Sequence, residues 1–191
     1  MDYQIDCEIK EKLKTLLTPQ RYEHTLGVAN TCVCLAMSRG LELEDAYIAG
    51  LLHDCAKCIP DEEKIARCEM YGIEISNIER KSPYLLHAKL GAYEAEHQFG
   101  VTKRNILNAI CCHTTGKPKM NDLEMILFVA DYIEPGRTKA HRLKKIRMTA
   151  FHEDAVYMIL KDTLNYLKRT GKPMDKMTEK SYEYYRKFYE E

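Results

Sequence analysis

Ala49-Gly50-Leu51-Leu52-His53-Asp54-Cys55-Ala56-Lys57 is the stretch that decides how this chain is read. If it is helical, Ala46, Ala49, Gly50 and His53 share one face, and small residues there leave a hollow in front of the imidazole. Asp54 then lies about 100° round from His53. Lys57 falls on the same side, so an imidazole, a carboxylate and an ammonium converge. Burying an acid and a lysine on an interior helix face is costly unless they pair or bind a metal. Taken alone, the segment reads first as a buried Asp54–Lys57 ion pair beside a core histidine.

Outward from this stretch the dominant period is helical. Ile5, Ile9, Leu13 and Leu16 follow one face of a first helix. Thr18-Pro19 reads as N-cap and first residue of a second, running to about Arg39 and closed by Gly40. A third helix is expected from Glu44 to before Pro60, and a fourth from Asp61 to Tyr71. Others are expected from Ser82-Pro83 to Gly100, from a Thr102 cap to Cys112, and from an Asp122 cap to Asp131. After the break at Glu134-Pro135-Gly136 come a helical stretch over Thr138 to Met148 and a long helix from Phe151 to Thr170. The late residues Val156, Ile159, Leu160, Leu164 and Leu167 look like core, and a tyrosine-rich helix closes the chain at about 178–190. No stretch alternates long enough for a strand, so the expected fold is all-α, one domain over 1–191.

Composition narrows the class. The chain has 191 residues, 45% of them hydrophobic, and its 29 Lys plus Arg balance 29 Asp plus Glu. That length can bury a core without staples. The neutral balance points to no broad nucleic-acid or membrane partner, while leaving room for a small anionic substrate held by a local cluster of cations. Met1 to Lys10 carries no apolar signal region, and no apolar run approaches the ~20 residues needed to cross a bilayer. The eight cysteines lie within apolar helical patterns. They read as reduced, buried thiols of a cytoplasmic protein, and the C-x-x-C of Cys55 and Cys58 lacks the strand that a redox motif would need before it.

The remaining histidines change the weight given to His53-Asp54. His24 lies in Arg21-Tyr22-Glu23-His24-Thr25. His87 follows Leu85-Leu86 and precedes Ala88 and Gly91. His113 ends Ile110-Cys111-Cys112, and Asp131 ends Ile126-Leu127-Phe128-Val129-Ala130. Each alone reads as a capping or packing residue. Together, four imidazoles and two carboxylates at apolar helix segments make a ligand set suited to iron, manganese or zinc. Six ligands exceed what one four-coordinate zinc takes, which suggests two metals. His97 and His141 fall outside the ordered set.

That order, His24, His53-Asp54, His87, His113, Asp131, resembles the HD-domain superfamily in its six-ligand form. The flanks Arg21 to Ala29, His53 to Lys57, Leu86-His87-Ala88, His113-Thr114-Thr115-Gly116 and Ala130 to Arg137 together resemble the bacterial YqeK family, over about residues 15–170. The resemblance implies an HD-type helical bundle, a di-iron or similar site with manganese or other divalent metals as alternatives, and symmetrical cleavage of diadenosine tetraphosphate into two ADP. In such a site the two metals would share Asp54 as a bridging carboxylate and activate a water to hydroxide.

Lys57 is then the candidate for stabilising charge on the phosphoryl oxygens. Arg21, one turn before His24, and Arg137 are phosphate candidates, with a structural ion pair and a solvated surface arginine as their respective rivals. Thr114, Thr115 and Gly116 could form an anion cradle from free N–H groups and hydroxyls. The alternatives are another nucleotide phosphohydrolase or phosphodiesterase on the same fold, and a non-catalytic nucleotide sensor. The sequence leaves the oligomeric state open, a homodimer included.

Overall fold

The computed structural model describes residues 3–138, 143–149 and 153–189, and in these it is helical throughout, with no strand. The elements are α1 (Tyr3–Leu16), α2 (Pro19–Arg39), α3 (Leu43–Leu52), α4 (Asp61–Met70), α5 (Asn77–Lys81), a 3₁₀ turn (Pro83–Leu86), α6 (His87–Phe99), α7 (Arg104–Cys112), α8 (Asp122–Ile133), α9 (Leu143–Met148), α10 (Glu153–Thr170) and α11 (Lys176–Arg186). Several starts follow side-chain caps. Thr18 accepts from the Arg21 N–H ahead of Pro19, and Gly40 ends α2 in the left-handed conformation at φ 67°. Ser76 closes a capping box with Glu79 at α5, which the sequence reading did not separate from its surroundings. The cap of α8 is Asn121, in a box with Glu124, which moves Asp122 into the first turn.

The packing centre is α3, which lies against α2, α7 and α8, while α6 packs on α7 and α10 packs on α8. Leu51, Leu52, Ile110 and Leu127 are fully buried there, as are Val28 and Ala29 of α2. In α1 the buried face is Ile9, Leu13 and Leu17. Leu16, expected inside, is 42% exposed, because the Leu17 N–H keeps the helical bond to the Leu13 carbonyl at 2.9 Å and Leu17, not Leu16, continues the i, i+4 row of Ile9 and Leu13. The side chain of Ile5 lies outside the described residues, as do residues 139–142 and 150–152, on which parts of the expected late helices fall. Within α10, Val156, Ile159, Leu160 and Leu164 are buried as expected. The tyrosine-rich α11 begins at a cap on Asp175 and packs on α10, with the Tyr185 hydroxyl accepting from the Met120 N–H at 3.1 Å.

All eight cysteines are free thiols. The expectation that they are buried holds for Cys32, Cys55, Cys68 and Cys112, whereas Cys34, Cys58 and Cys111 are exposed. In each close pair one thiol faces the core and the other faces out. No helix among the described residues is long and apolar enough to cross a membrane.

The α2–α3 contact is close enough to need a glycine. A Cβ on Gly50 would stand 2.6 Å from the Ala29 Cα and 3.0 Å from its nitrogen, backbone that cannot yield cheaply. Helix propensity alone predicts that Gly50→Ala stabilises by about 0.5–1 kcal/mol. Overpacking predicts the opposite sign, a loss of about 1–3 kcal/mol, and that loss is expected in urea denaturation. An unchanged or raised midpoint would mean that the two helices separate at little cost.

Candidate metal centre

Three of the four histidines stand at helix ends and share one local device. His53 is the C-cap of α3, His113 the C-cap of α7, and His87 follows the 3₁₀ turn. Each turns its Nδ1 onto the carbonyl three residues back: Gly50 for His53 at 2.7 Å, Ile110 for His113 at 2.7 Å, and Tyr84 for His87. A carbonyl only accepts, so Nδ1 carries the hydrogen and Nε2 keeps its lone pair. The expected helix through Lys57 is not formed. His53 takes the Gly50 carbonyl that a further helical turn would use, and tight turns follow, with Cys55 N–H on Leu52 O at 3.1 Å and Lys57 N–H on Asp54 O at 2.8 Å. Asp54 and Lys57 therefore reach the centre from a turn.

The Nε2 atoms meet around Asp54. Its Oδ2 lies 3.5 Å from His53 Nε2 and 4.0 Å from His24 Nε2. Its Oδ1 lies 3.3 Å from His87 Nε2 and 3.7 Å from His113 Nε2. Asp131 Oδ1 completes the first side, 3.0 Å from His24 Nε2 and 3.8 Å from His53 Nε2. All six residues of the expected set are thus brought together. His24, His53 and Asp131 form one group whose donor atoms lie within 4.8 Å of one another, and His53, Asp54 and His113 form a second.

The donor chemistry fits a divalent metal. His53 Nε2 and Asp54 Oδ1 are buried and have no hydrogen-bond partner. His87 Nε2 and His113 Nε2 face each other at 3.2 Å. Lone pairs so close repel unless a cation or a donor lies between or beside them, and imidazole with carboxylate is a set that first-row transition metals accept. Helices α3 and α7 both point their carboxyl ends here, and the negative end of the helix dipole favours positive charge.

The titration behaviour agrees. Burial pushes His87 down to about 4, with Lys57 adding to the effect. For His53 burial works in the same direction, but the charges of Asp54 and Asp131 outweigh it and raise its pKa. Burial also opposes the two carboxylates, yet both stand well below the usual range, Asp54 through its histidines and Asp131 through His24, His53 and Arg137. The cluster draws positive charge.

Cations ring it. Arg21 donates to Asp54 Oδ2 at 2.8 Å. Arg137 donates to Asp131 Oδ1 at 2.7 Å and to the Asp131 carbonyl at 2.9 Å, so it is ion-paired while its side chain stays 41% exposed. Lys57 Nζ lies 3.0 Å from His87 Nε2 and 3.8 Å from Asp54 Oδ1, and burial lowers its pKa against the pull of Asp54. The Thr114 hydroxyl is 3.2 Å from both His87 Nε2 and His113 Nε2. The cradle expected beyond it is smaller than its sequence suggested. The Gly116 N–H is taken by the Cys112 carbonyl at 2.8 Å, and the Thr115 hydroxyl by the Gly116 carbonyl at 2.9 Å, which leaves Thr114 as the member that faces the cluster.

Residues 21–136, which include every histidine and aspartate of the cluster, match the HD domain family. The chain belongs to the HD domain family. Within it, the YqeK branch resembled by the flanking phrases is met by the relatives. The chain is 38% identical to a Bacillus subtilis protein named bis(5'-nucleosyl)-tetraphosphatase, symmetrical, over 85% of this chain and 87% of that one. A Halalkalibacterium halodurans protein of the same name is 35% identical over the same shares. A Clostridium acetobutylicum crystal structure, described as a predicted HD superfamily hydrolase involved in NAD metabolism, superposes with a TM-score of 0.92 at 35% identity, covering 98% of each chain.

One further residue of this HD domain escaped the sequence reading. His24 lies inside a helix, not at its end, and its Nδ1 is held by the Glu134 carboxylate at 3.0 Å. Glu134 is buried, and its other oxygen accepts the Gly136 N–H. A Cβ on Gly27 would stand 2.7 Å from that oxygen, so the glycine next to His24 in space makes room for the carboxylate. Arg147 of α9 clamps the same turn, donating to the carbonyls of Ile133, Glu134 and Arg137. The available signal was an acid beside Pro135 and Gly136, which reads equally well as a loop. His97 stacks on Tyr93 at 3.8 Å between ring centroids, and His141 lies outside the described residues.

A carboxylate behind an imidazole fixes its ring and raises its basicity, and removing such a partner typically costs about 10–100-fold in metal affinity. Glu134→Ala is expected to show that loss when metal content is followed through dialysis against graded chelator. Glu134→Gln, which keeps an acceptor, should retain most of the affinity, and His97→Ala all of it. Wild-type metal retention by Glu134→Ala would remove Glu134 from the site.

Proposed function

We propose that this chain hydrolyses dinucleoside tetraphosphates, taking diadenosine tetraphosphate to two ADP, at a centre of two divalent transition-metal ions held by His24, His53, Asp54, His87, His113 and Asp131. The observation that carries the reading is Asp54, a buried carboxylate with one oxygen toward His24 and His53 and the other toward His87 and His113. That is the disposition a bridging ligand needs. Iron is the first choice of metal and manganese the second by the family resemblance, and imidazole with carboxylate suits either. The substrate rests on the names of the relatives at 35–38% identity. The free thiols suit a reducing, cytoplasmic setting.

When bound, such metals supply Lewis acidity and a water acidified toward neutral pH. The chain does the rest. Attack on one of the two central phosphorus atoms breaks its bond to the bridging oxygen and releases ADP, a leaving group stable enough to need little protonation. The work left to the protein is positioning and charge neutralisation. Arg21 and Arg137, already anchored on Asp54 and Asp131, present their remaining N–H groups to phosphate oxygens. Lys57 lies at the opposite, His87 side, where an ammonium meets charge that grows as the phosphoryl group transfers. The hydroxyl of Thr114 offers one more donor. Imidazoles held by their Nδ1 hydrogens remain ligands and are not proton carriers.

Metal-loaded protein incubated with diadenosine tetraphosphate should yield ADP as the sole nucleotide product by ion-exchange chromatography. Equal amounts of ATP and AMP, or no turnover at full metal occupancy, would overturn the reading.

Lys57 distinguishes a catalyst from a sensor, which has no use for a group that acts on the transition state. Lys57→Ala should keep its metals and its fold while the turnover number falls by about 100- to 1,000-fold. Lys57→Arg should rescue poorly, since a planar guanidinium does not replace a compact ammonium in a tight pocket. An unchanged rate per metal-loaded site would leave Lys57 as no more than a structural partner of Asp54.

A further inference from the structure

Beyond Thr114 the surface opens into a cavity of about 720 Å³, bounded by α5, α6, α7 and the start of α11. Small-molecule sites span ~300–1,000 Å³, so this one far exceeds what a phosphate or a metal ion would fill. Its walls are chiefly apolar, with Ile78, Leu85, Met174 and Met177 among them. None of the six proposed ligands lines it. Thr114 belongs to both places, since it lines the cavity and its hydroxyl stands 3.2 Å from His87 Nε2 and His113 Nε2. Lys81 and Lys176 also line it, and neither side chain has a partner among the described residues.

Two chemically different zones therefore share one threonine. The zone around Asp54 is polar, ringed by Arg21, Lys57 and Arg137, and suits a polyphosphate. The zone beyond Thr114 is chiefly apolar and wide, edged by four lysines against the carboxylates of Glu79 and Asp175, with Lys89 and Lys117 paired and Lys81 and Lys176 left over, and suits a flat heteroaromatic ring joined to a sugar. Methionine thioethers are polarizable surfaces on which an aromatic ring packs well. We infer that this cavity seats one nucleoside of the substrate. The base lies between Met174, Met177, Ile78 and Leu85, and the phosphate chain passes Thr114 into the metal centre. Lys81 and Lys176 compensate phosphate charge along the way. The inference rests on the proposed dinucleotide substrate. It adds that the two nucleosides are held unequally, one of them enclosed by the α5–α11 cavity.

Cys111 reports on occupancy, because its thiol lines the cavity and is exposed, although burial of its surroundings raises its pKa. Iodoacetamide labelling of metal-loaded protein, read peptide by peptide by mass spectrometry, should be slowed at Cys111 by ADP and not by inorganic pyrophosphate. Exposed Cys34 is the internal reference. Ile78→Trp and Met177→Trp, on two different helices, should each weaken ADP binding about tenfold or more in calorimetry while pyrophosphate binding is kept. With diadenosine tetraphosphate, the same variants should raise KM and leave kcat near wild type. Full Cys111 labelling at saturating ADP, equal protection by pyrophosphate, or wild-type ADP affinity in both folded variants would each overturn the assignment. Failure to turn over diadenosine tetraphosphate, with Cys111 still protected by ADP, would strike the proposed reaction and not the cavity.

Discussion

Everything in this fold is arranged around an electrostatic problem: four imidazole lone pairs and two carboxylates face one another inside an apolar helical body. Desolvating such a set is costly, and the cost is met only if positive charge sits among them. The chain brings its own cations to the edge, with Arg21 on Asp54, Arg137 on Asp131 and Lys57 beside His87. Two donor atoms at the centre, His53 Nε2 and Asp54 Oδ1, have no hydrogen-bond partner, and Lys57 comes no nearer to Asp54 Oδ1 than 3.8 Å. The packing follows from this. Gly50, Gly27 and Gly136 are small where backbone or a carboxylate must pass close, and the most buried helices are those whose ends deliver the ligands.

The all-α character and most helices were legible because caps and periodicity are local. Thr18-Pro19 and Gly40 bound α2 as read. The errors also have local causes. Leu16 and Leu17 are adjacent and both fit a helical face, and the i, i+4 row through Ile9 and Leu13 selects Leu17. Asn121 and Asp122 are both good caps, and the capping box with Glu124 selects the first. The end of α3 could not be read from its composition, because a side chain, His53, competes for the carbonyl that would have continued it.

For the site, the six residues that converge were visible as unusual polar groups in apolar runs. Glu134 was not, because its role comes from contact with a histidine 110 positions away and from the space left by Gly27. Lys57 was found by helical spacing that the turn does not have, yet it reaches the same place, since a tight turn carries residues three apart to one side much as a helix does. Thr115 and Gly116 were overread for the opposite reason. A threonine-glycine turn looks rich in free donors until its hydrogen bonds are assigned, and here the Gly116 N–H and the Thr115 hydroxyl are both taken by carbonyls.

The anchoring of the histidines divides the site by sequence separation. His53, His87 and His113 are oriented by carbonyls three residues away, so each is set once its own segment forms. His24 is oriented only when the end of α8 docks on α2 and delivers Glu134. Ring orientation is thus set locally for three histidines and by a long-range contact for His24, while the convergence of all four depends on tertiary packing. A ligand that grips both sides is linked to that packing by mass action, and its binding free energy is spent in part on holding α2 and α8 together. Both sides need α3, α6 and α7 packed together, and affinity at the His24 side registers in addition whether α8 has docked on α2.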